Sequence, residues 1–188
     1  DKDAPAKVND LGRAKWYMGL SDQNKVRLNK YIDSASSASK YDFMVTLMDA
    51  AIADENFAAA IVASELAVSL KLTDIQRFKV NDKVVNALYF SKKYDECLRA
   101  CEVGLSMIPS LKGQVGADDV IYCRNHMLNV LVGVKIDYAA GEAALHRFNE
   151  LGILSDEDLR YRLQSLKVFR LQNTFESVFS VVPDTKSE

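Results

Sequence analysis

Proline and glycine are scarce in this chain, whose 188 residues include only three prolines and eight glycines. Both residues interrupt helices, so their scarcity favours long regular elements. Apolar residues recur at spacings of three and four rather than two, which is the period of an amphipathic helix and not of a half-buried strand. The sequence therefore predicts an all-α fold.

Cysteine is scarce too, and the three cysteines cannot all pair within one chain. A dense disulfide framework of the kind found in small secreted domains is therefore excluded. The simplest interpretation is a reducing compartment, so we expect a cytoplasmic location. A signal segment or membrane anchor removed from upstream of Asp1 would be compatible with the same residues.

A large charge of one sign and long apolar runs are missing as well. The formal net charge is −2 and the isoelectric point is about 5.8, so no basic field attracts nucleic acid or an anionic membrane. No stretch reaches the roughly 18 to 20 consecutive apolar residues that a membrane-spanning helix needs. Hydrophobic residues still make up 48% of the chain, enough for one compact domain. We expect neither a nucleic-acid partner nor a membrane-spanning segment.

Composition divides this domain into four parts. Residues 1–10 are polar and aperiodic, which predicts a mobile N-terminus. Residues 11–39 are predicted to form N-terminal capping helices and a serine-rich linker, residues 41–154 an array of helical hairpins, and residues 155–182 a long C-terminal capping helix. The predicted helices of the array and of the cap span residues 41–53, 56–71, 74–91, 94–108, 120–135, 138–151 and 155–181.

Two start signals and one stop signal support these boundaries. Thr73 is followed three residues later by Gln76, which is the spelling of a capping box, and Ser155 is followed by Asp158 at the same spacing. Pro109 has no amide hydrogen and cannot continue a helix. We expect helices to begin after Thr73 and Ser155 and one to end before Pro109.

A short pattern recurs in the second helix of two predicted hairpins. An aromatic residue is followed by a small residue three positions on and by another small residue ten positions on. Small residues at these positions allow a neighbouring helix to approach closely. The pattern comprises Phe57, Ala60 and Ala67 in one hairpin and Tyr94, Cys97 and Gly104 in the next.

These units resemble tetratricopeptide repeats, whose second helix carries an aromatic residue, then small residues, and a proline just past its end. The resemblance is clearest around Tyr94, where Pro109 stands at the terminating position, and it covers about residues 41–150. A third unit starts at Tyr138 and Gly141, with bulky Phe148 where a small residue is usual. The resemblance implies a divergent right-handed α–α superhelix of antiparallel hairpins.

The resemblance also implies a function, because tetratricopeptide arrays are non-catalytic scaffolds whose first helices line a groove for a peptide or partner protein. Asn86 stands where the family has its groove asparagine. The basic residues of the family's carboxylate clamp are missing, since Val45, Asp49 and Val130 stand where polar or basic groups would be required. Carried onto this sequence, the groove positions are Lys79, Asp82, Asn86, Tyr89, His126 and Val130.

One set of side chains allows a different chemistry. Cys97 and Cys101 are four apart on one predicted helix, and Cys123 and His126 are three apart on another, so each pair shares a face. Two such faces could form a tetrahedral zinc site in a zinc-stabilised helical domain. The cysteines also occupy packed positions of the repeat, where free cysteine acts as a small hydrophobe, and we favour this interpretation. We therefore predict no metal and no cofactor.

The sequence contains no recognisable catalytic grouping, since a phosphate-binding glycine loop, an acid/base carboxylate pair and a Ser/His/Asp set are all missing. We expect a non-enzymatic protein. A structural or assembly role is the alternative to a binding scaffold. Apolar residues form a stripe along the last predicted helix, and its distal part, from Phe175 to Val182, could pair with another chain to give a homodimer.

Overall fold

The computed structural model describes residues 36–68, 70–111 and 113–179, together with residues 21–23, 26, 30 and 34. Every regular element in this part of the chain is helical, so the all-α prediction is confirmed for it. The predicted mobile segment 1–10 and residues 11–20 of the predicted N-terminal capping helices lie outside the described residues. The same holds for residues 180–182 of the predicted C-terminal helix.

Seven α-helices are present among the described residues, and most of their bounds agree with the predicted ones to within a few residues. The predicted helix 120–135 is the main exception, because it divides into an α-helix and the π-helix Asn129–Val134. Short 3₁₀ helices span Ile108–Leu111 and Ala117–Val120. The α-helices are α1 Ser37–Ala53, α2 Phe57–Val68, α3 Asp74–Phe90, α4 Tyr94–Met107, α5 Ile121–Leu128, α6 Tyr138–Glu150 and α7 Asp156–Phe179.

The start of α1 differs from its prediction. Residues 37–39, which composition assigned to a linker, form the first turn of α1. Ser36 explains this start, because its Oγ accepts a hydrogen bond from the Ser39 amide at 3.2 Å. A serine at this position satisfies an amide that has no partner within the helix. The last residues of the serine-rich segment therefore form the start of α1.

The two predicted capping signals act as expected. The Gln76 amide donates to Thr73 Oγ1 at 3.4 Å, and the Thr73 amide donates to Gln76 Oε1 at 3.0 Å, so the capping box is complete. At the start of α7, the Asp158 amide donates to Ser155 Oγ at 3.1 Å. Both helices begin where the sequence predicted.

The chain divides into two compact units, Asp1–Met127 and Leu128–Glu188. In the first unit, α1 packs against α2 and α3 against α4, and α3 also packs on both helices of the first pair. Alanines make up much of the buried surface of α1 and α2, which allows these helices to lie close together. The buried alanines are Ala50, Ala51, Ala59, Ala60, Ala63 and Ala67.

The turns that follow α1, α3 and α6 have the same backbone. In each, one residue adopts a left-handed conformation, with φ of 55° at Glu55, 59° at Lys92 and 72° at Gly152. After α3, the Lys92 amide donates to the Tyr89 carbonyl at 2.9 Å and the Lys93 amide to the Leu88 carbonyl at 3.0 Å. These two bonds define a Schellman motif, which closes a helix and reverses the chain.

The small residues of the repeated pattern on α4 are buried. Cys97 and Cys101 have no exposed surface, and Gly104 is buried. A Cβ atom at Gly104 would lie 2.8 Å from Asn81 Nδ2, which donates to the Ala100 carbonyl at 2.9 Å. Gly104 is therefore required for the close approach of α4 to α3 at this point.

In the second unit, α6 packs against both the π-helix and α7. A Cβ atom at Gly141 would lie 2.6 Å from Val132 Cγ2, so this glycine also marks a close contact. Phe148 is completely buried. Asn173 Nδ2 donates to the Tyr138 hydroxyl at 2.5 Å and connects α7 to the start of α6. Among the described helices, none combines the length and apolar character needed to cross a membrane.

Candidate functional site

The candidate site lies where one face of α3 meets α5, within the first unit. Asp82, Asn86 and Tyr89 are spaced by four and three residues, so they project from the same side of α3. His126 and Tyr122 are four residues apart and share a side of α5. Of the predicted groove residues of α3, Asn86 and Tyr89 contact the His126 ring.

His126 and Asn86 form the polar centre of this site. His126 Nε2 donates to Asn86 Oδ1 over 2.8 Å, and the two side chains are only 7% and 4% exposed. His126 Nδ1 is buried and has no hydrogen-bond partner among the described residues. Burial lowers the pKa of His126 from 6.5 to about 4, because it disfavours the charged imidazolium. The imidazole is therefore neutral at physiological pH.

Aromatic rings enclose this histidine. The Tyr89 ring stacks on the imidazole at a centroid distance of 4.0 Å and an angle of 13°. Tyr122 is nearly parallel to it as well, at 5.8 Å and 8°, and Phe90 meets it edge-on at 5.6 Å. Stacked and edge-to-face contacts of this kind hold rings in fixed orientations.

Two of these rings also face solvent. Phe90 is 52% exposed although it stacks on Phe57 at a centroid distance of 5.3 Å, and Tyr122 is 42% exposed. We refer to Tyr89, Phe90 and Tyr122, packed around His126, as the aromatic surface. It combines exposed apolar area with rings that pack on a buried side chain, and large aromatic side chains of this kind are common anchors in protein interfaces.

Asp82 borders the aromatic surface and contacts α5 directly. Its Oδ1 accepts a hydrogen bond from the Cys123 amide at 3.2 Å, in the first turn of α5. Burial raises the pKa of Asp82 from 3.8 to about 6, against the opposing effects of this amide and of Lys83. Asp119 adds a second carboxylate nearby, which also raises the pKa. Asp82 is a titratable link between the two helices.

Three further predicted positions differ in accessibility. Lys79 is exposed, and Tyr89 is partly exposed. Val130 is completely buried and belongs to the second unit. A partner could touch Lys79 and Tyr89 directly, whereas the buried Asn86 and His126 can act only by holding the rings in place. Partner binding at the predicted positions stays a prediction.

Sequence reasoning did not single out Phe90 and Tyr122 as site residues. The signal for Tyr122 was its spacing of four from His126, which places both rings on one side of α5. Phe90 had a weaker signal. Its neighbour Tyr89 was predicted to face the groove. In the structure, Tyr89 and Phe90 are adjacent in the last turn of α3, and both rings contact His126.

The three cysteines form a separate buried cluster of free thiols. Cys97 Sγ donates to the Val85 carbonyl at 3.6 Å, and the Cys101 and Cys123 thiols each donate to the other's carbonyl at 3.5 Å. Hydrogen bonds with the Cys123 and Cys97 thiols, together with burial, raise the pKa of Cys101. His126 is not drawn into this cluster, since Asn86 holds its Nε2. Within the described ranges, no three His, Cys, Asp or Glu side chains are placed to hold a metal ion.

A second concave surface lies in the other unit. It is an open groove of about 380 Å³ between the π-helix and α7, with apolar walls that include Val132, Leu145, Leu166 and Phe169. Arg162 and Ser165 supply polar groups at its edge. Most of the residues that line this groove are apolar, which suits it to an apolar group of a ligand or partner.

The sequence matches no protein-family model, and comparison with curated proteins and with solved structures finds no match either. Function therefore has to be inferred from the residues of this chain and their arrangement. The aromatic surface of the first unit is the feature that most directly indicates a use.

Proposed function

We propose that this protein is a non-catalytic interaction module that binds another protein through the aromatic surface of its first unit. The observation that carries this proposal is the exposure of Phe90 and Tyr122 on a fixed ring cluster. Tyrosine and other aromatic side chains are enriched at the energetic centres of protein interfaces. A partner that inserts apolar side chains against these rings would bury surface at little cost in side-chain entropy.

The neighbouring charges favour the same use. Lys79 and Lys83 lie on α3 on the N-terminal side of Tyr89 and Phe90, and Lys83 forms an ion pair with Asp49 of α1. Lys79 is exposed, so it is available to a carboxylate on the partner. An apolar centre with charged groups at its border is the usual anatomy of a protein interface.

The proposed array is tetratricopeptide-like, and the turn geometry supports this part of the proposal. The left-handed residues Glu55, Lys92 and Ile136 each precede the aromatic residue of a predicted unit by two positions. A backbone feature thus recurs with the sequence pattern, as expected for repeated hairpins. A reducing, cytoplasmic setting is part of the same proposal, and the buried free thiols are compatible with it.

A photo-crosslinking experiment tests the binding surface. The photoreactive amino acid p-benzoylphenylalanine replaces Phe90, Tyr122 or Val103 in the full chain, produced in the cells from which the protein comes. Val103 lies on α4 and is 53% exposed, so it is a control of matched accessibility. We expect the same partner protein to be captured from positions 90 and 122 and not from position 103.

A second pair of variants links capture to the rings. Phe90→Ser with Tyr122→Ser should abolish recovery of that partner, whereas Val103→Ser should leave it unchanged. Both proteins should retain the wild-type helical circular-dichroism spectrum. Equal capture from all three positions, or undiminished recovery with the doubly substituted protein, would refute the aromatic surface as the binding site.

A further inference from the structure

The groove of the second unit lies where two helical segments pack on α6 and leave space between them. Val132 of the π-helix and Leu166 of α7 both approach Gly141 of α6, since a Cβ atom there would lie 2.6 Å from Val132 Cγ2 and 3.9 Å from Leu166 Cδ1. Leu145, four residues further along α6, is 2% exposed and also lines the groove. α6 therefore forms the floor of the groove, and the π-helix and α7 form its two walls.

Both walls have apolar surface that is open to solvent. On α7, Phe169 is 42% exposed and Tyr161 is 71% exposed, and the Phe169 ring meets the Tyr138 ring edge-on at a centroid distance of 6.4 Å. On the opposite wall, Gly133 is exposed, and a Cβ atom there would meet no atom within 4 Å. The groove thus has room for an added apolar group.

The wall that contains Gly133 is not a regular α-helix. The Lys135 amide donates to the Val130 carbonyl at 2.8 Å, and this bond spans five residues instead of the four of an α-helix. Turns of this kind are rare and occur frequently at functional sites. Asn129, Val132 and Gly133 belong to this segment and also line the groove. The irregular helix and the groove therefore coincide.

Arg162 supplies a charge to this apolar groove. Of the described residues that line it, Arg162 alone is ionised. Its side chain is partly buried and forms no ion pair within the part of the chain that the structure describes. Asp158 lies one turn earlier on α7, but its carboxylate accepts a hydrogen bond from Ser155 Oγ at 2.8 Å. A guanidinium binds a carboxylate through two parallel hydrogen bonds, so the groove suits a carboxylate that is attached to an apolar group.

We propose that this groove binds a small amphipathic carboxylic acid, with the carboxylate on Arg162 and the apolar part along Val132, Leu166 and Phe169. The size of the groove favours such a ligand. Its volume of about 380 Å³ is near the lower end of the range for small-molecule pockets, which is roughly 300–1,000 Å³. All these residues belong to the second unit. The site is therefore separate from the aromatic surface and goes beyond the proposed function.

Nuclear magnetic resonance of the full chain tests the site, with octanoate as the probe. We expect saturable shifts of the Val132, Gly133 and Ser165 amide signals, with a dissociation constant of roughly 0.1–5 mM. Octanamide has the same chain without the charge, and it should bind about tenfold more weakly because it cannot form the ion pair. Acetate has the charge without the chain and should give no saturable shifts over the same concentrations.

Four variants assign the two parts of the ligand to residues. Arg162→Gln should weaken octanoate binding about tenfold and leave octanamide binding unchanged. Arg170→Gln is its matched control, because Arg170 is exposed on the same helix and does not line the groove. Gly133→Leu should fill the groove and abolish binding of both ligands. Ala143→Leu, at an exposed position of α6 outside the groove, should bind both as the wild type does.

Three results would overturn the proposal. Equal affinities for octanoate and octanamide, or undiminished octanoate binding by Arg162→Gln, would show that Arg162 does not select an anion. Shifts that spread over the whole chain without saturating would show that the groove is not a site. Tighter binding of N-acetyl-leucyl-leucine at the same amides would assign the groove to the C-terminus of a protein instead of a free acid. Each of these results leaves the capture of a partner through the aromatic surface as a separate question.

Discussion

His126 and Asn86 are forty residues apart in the sequence, yet their side chains share a buried 2.8 Å hydrogen bond. This bond joins α5 to α3 at the centre of the aromatic surface. Because the imidazole is nearly parallel to the rings of Tyr89 and Tyr122, we expect its orientation to influence the positions of those rings. A polar pair in the core of the first unit thus holds an apolar surface at its exterior.

Removing one partner of this pair should cost more than replacing both. Asn86→Ala leaves the buried Nε2–H group of His126 without an acceptor, and we expect it to lower the free energy of unfolding by about 1–3 kcal/mol. In Asn86→Leu with His126→Phe, both polar groups are gone and the stacked ring is kept, so the loss should be smaller. Urea unfolding of Asn86→Leu, of His126→Phe and of the double variant measures the coupling between the two side chains. Strictly additive losses would mean that the two side chains stabilise the protein independently.

Two groups of this site should affect the free energy of unfolding in opposite directions as the pH changes. The folded-state pKa of His126 lies below its unfolded value, so its contribution to stability is lost as the pH falls from about 6.5 to 4. The folded-state pKa of Asp82 lies above its unfolded value, so its contribution is greatest at low pH and is lost as the pH rises from about 4 to 6. The two contributions should partly cancel in the wild type.

Variants that remove one titration should reveal the other. We compare the free energy of unfolding of each variant with that of the wild type at about pH 4.5 and about pH 6.5. Asp82→Asn should lose more stability at the lower pH, and His126→Gln should lose more at the higher pH. The loss should differ between the two pH values by on the order of 1–2 kcal/mol for each variant. Asn and Gln keep a hydrogen-bonding group at each position. Urea unfolding at the two pH values measures the difference. If both variants follow the wild-type pH profile, neither group is perturbed by folding.

Local features of this fold were predictable from the sequence because they depend on neighbouring residues. Thr73 and Gln76 form their capping box, and α4 ends at Met107, before Pro109. Ser36 caps α1 in the middle of a serine run, where composition alone predicted a linker. The difference is that a cap requires one particular hydroxyl at one particular position, and the run offers several candidates.

Burial at the site was harder to predict, because it depends on which helices meet. The spacing of Asp82, Asn86 and Tyr89 showed that they share a face, but not that α5 would cover it at Asn86. The same limit applies to Phe90 and Tyr122, whose exposure follows from the place where α3 ends beside α5. The π-helix had no signal at all in the spacing of apolar residues.

Two glycines that look alike in the sequence should respond differently to the same substitution. At Gly104, a methyl group would displace the Asn81 carboxamide and its bond to the Ala100 carbonyl, so Gly104→Ala should cost about 1–3 kcal/mol. Gly133 also lies in a helical segment, but a Cβ there meets no atom within 4 Å. Gly133→Ala should be neutral or stabilising by up to about 1 kcal/mol. Thermal unfolding compares the two, and equal effects would contradict the close approach of α3 and α4.

The Schellman turns offer a way to stabilise the protein. Lys92 is exposed and has φ of 59°, a conformation that costs an L-residue with a side chain roughly 1–2 kcal/mol. The equivalent position after α6 is Gly152, which adopts it without strain. Lys92→Gly should therefore raise the free energy of unfolding by about 0.5–1 kcal/mol, after the entropy lost by glycine is deducted.

The neighbouring lysine is the control for this substitution. Lys93 has φ of −85°, which any residue adopts, so Lys93→Gly gains nothing in the folded state and should be neutral or destabilising. Gly152→Ala should lower the free energy of unfolding, because it introduces the strain that Lys92→Gly removes. Chemical denaturation of the three variants tests the set together. Destabilisation by Lys92→Gly with no effect of Gly152→Ala would show that the two turns are not equivalent.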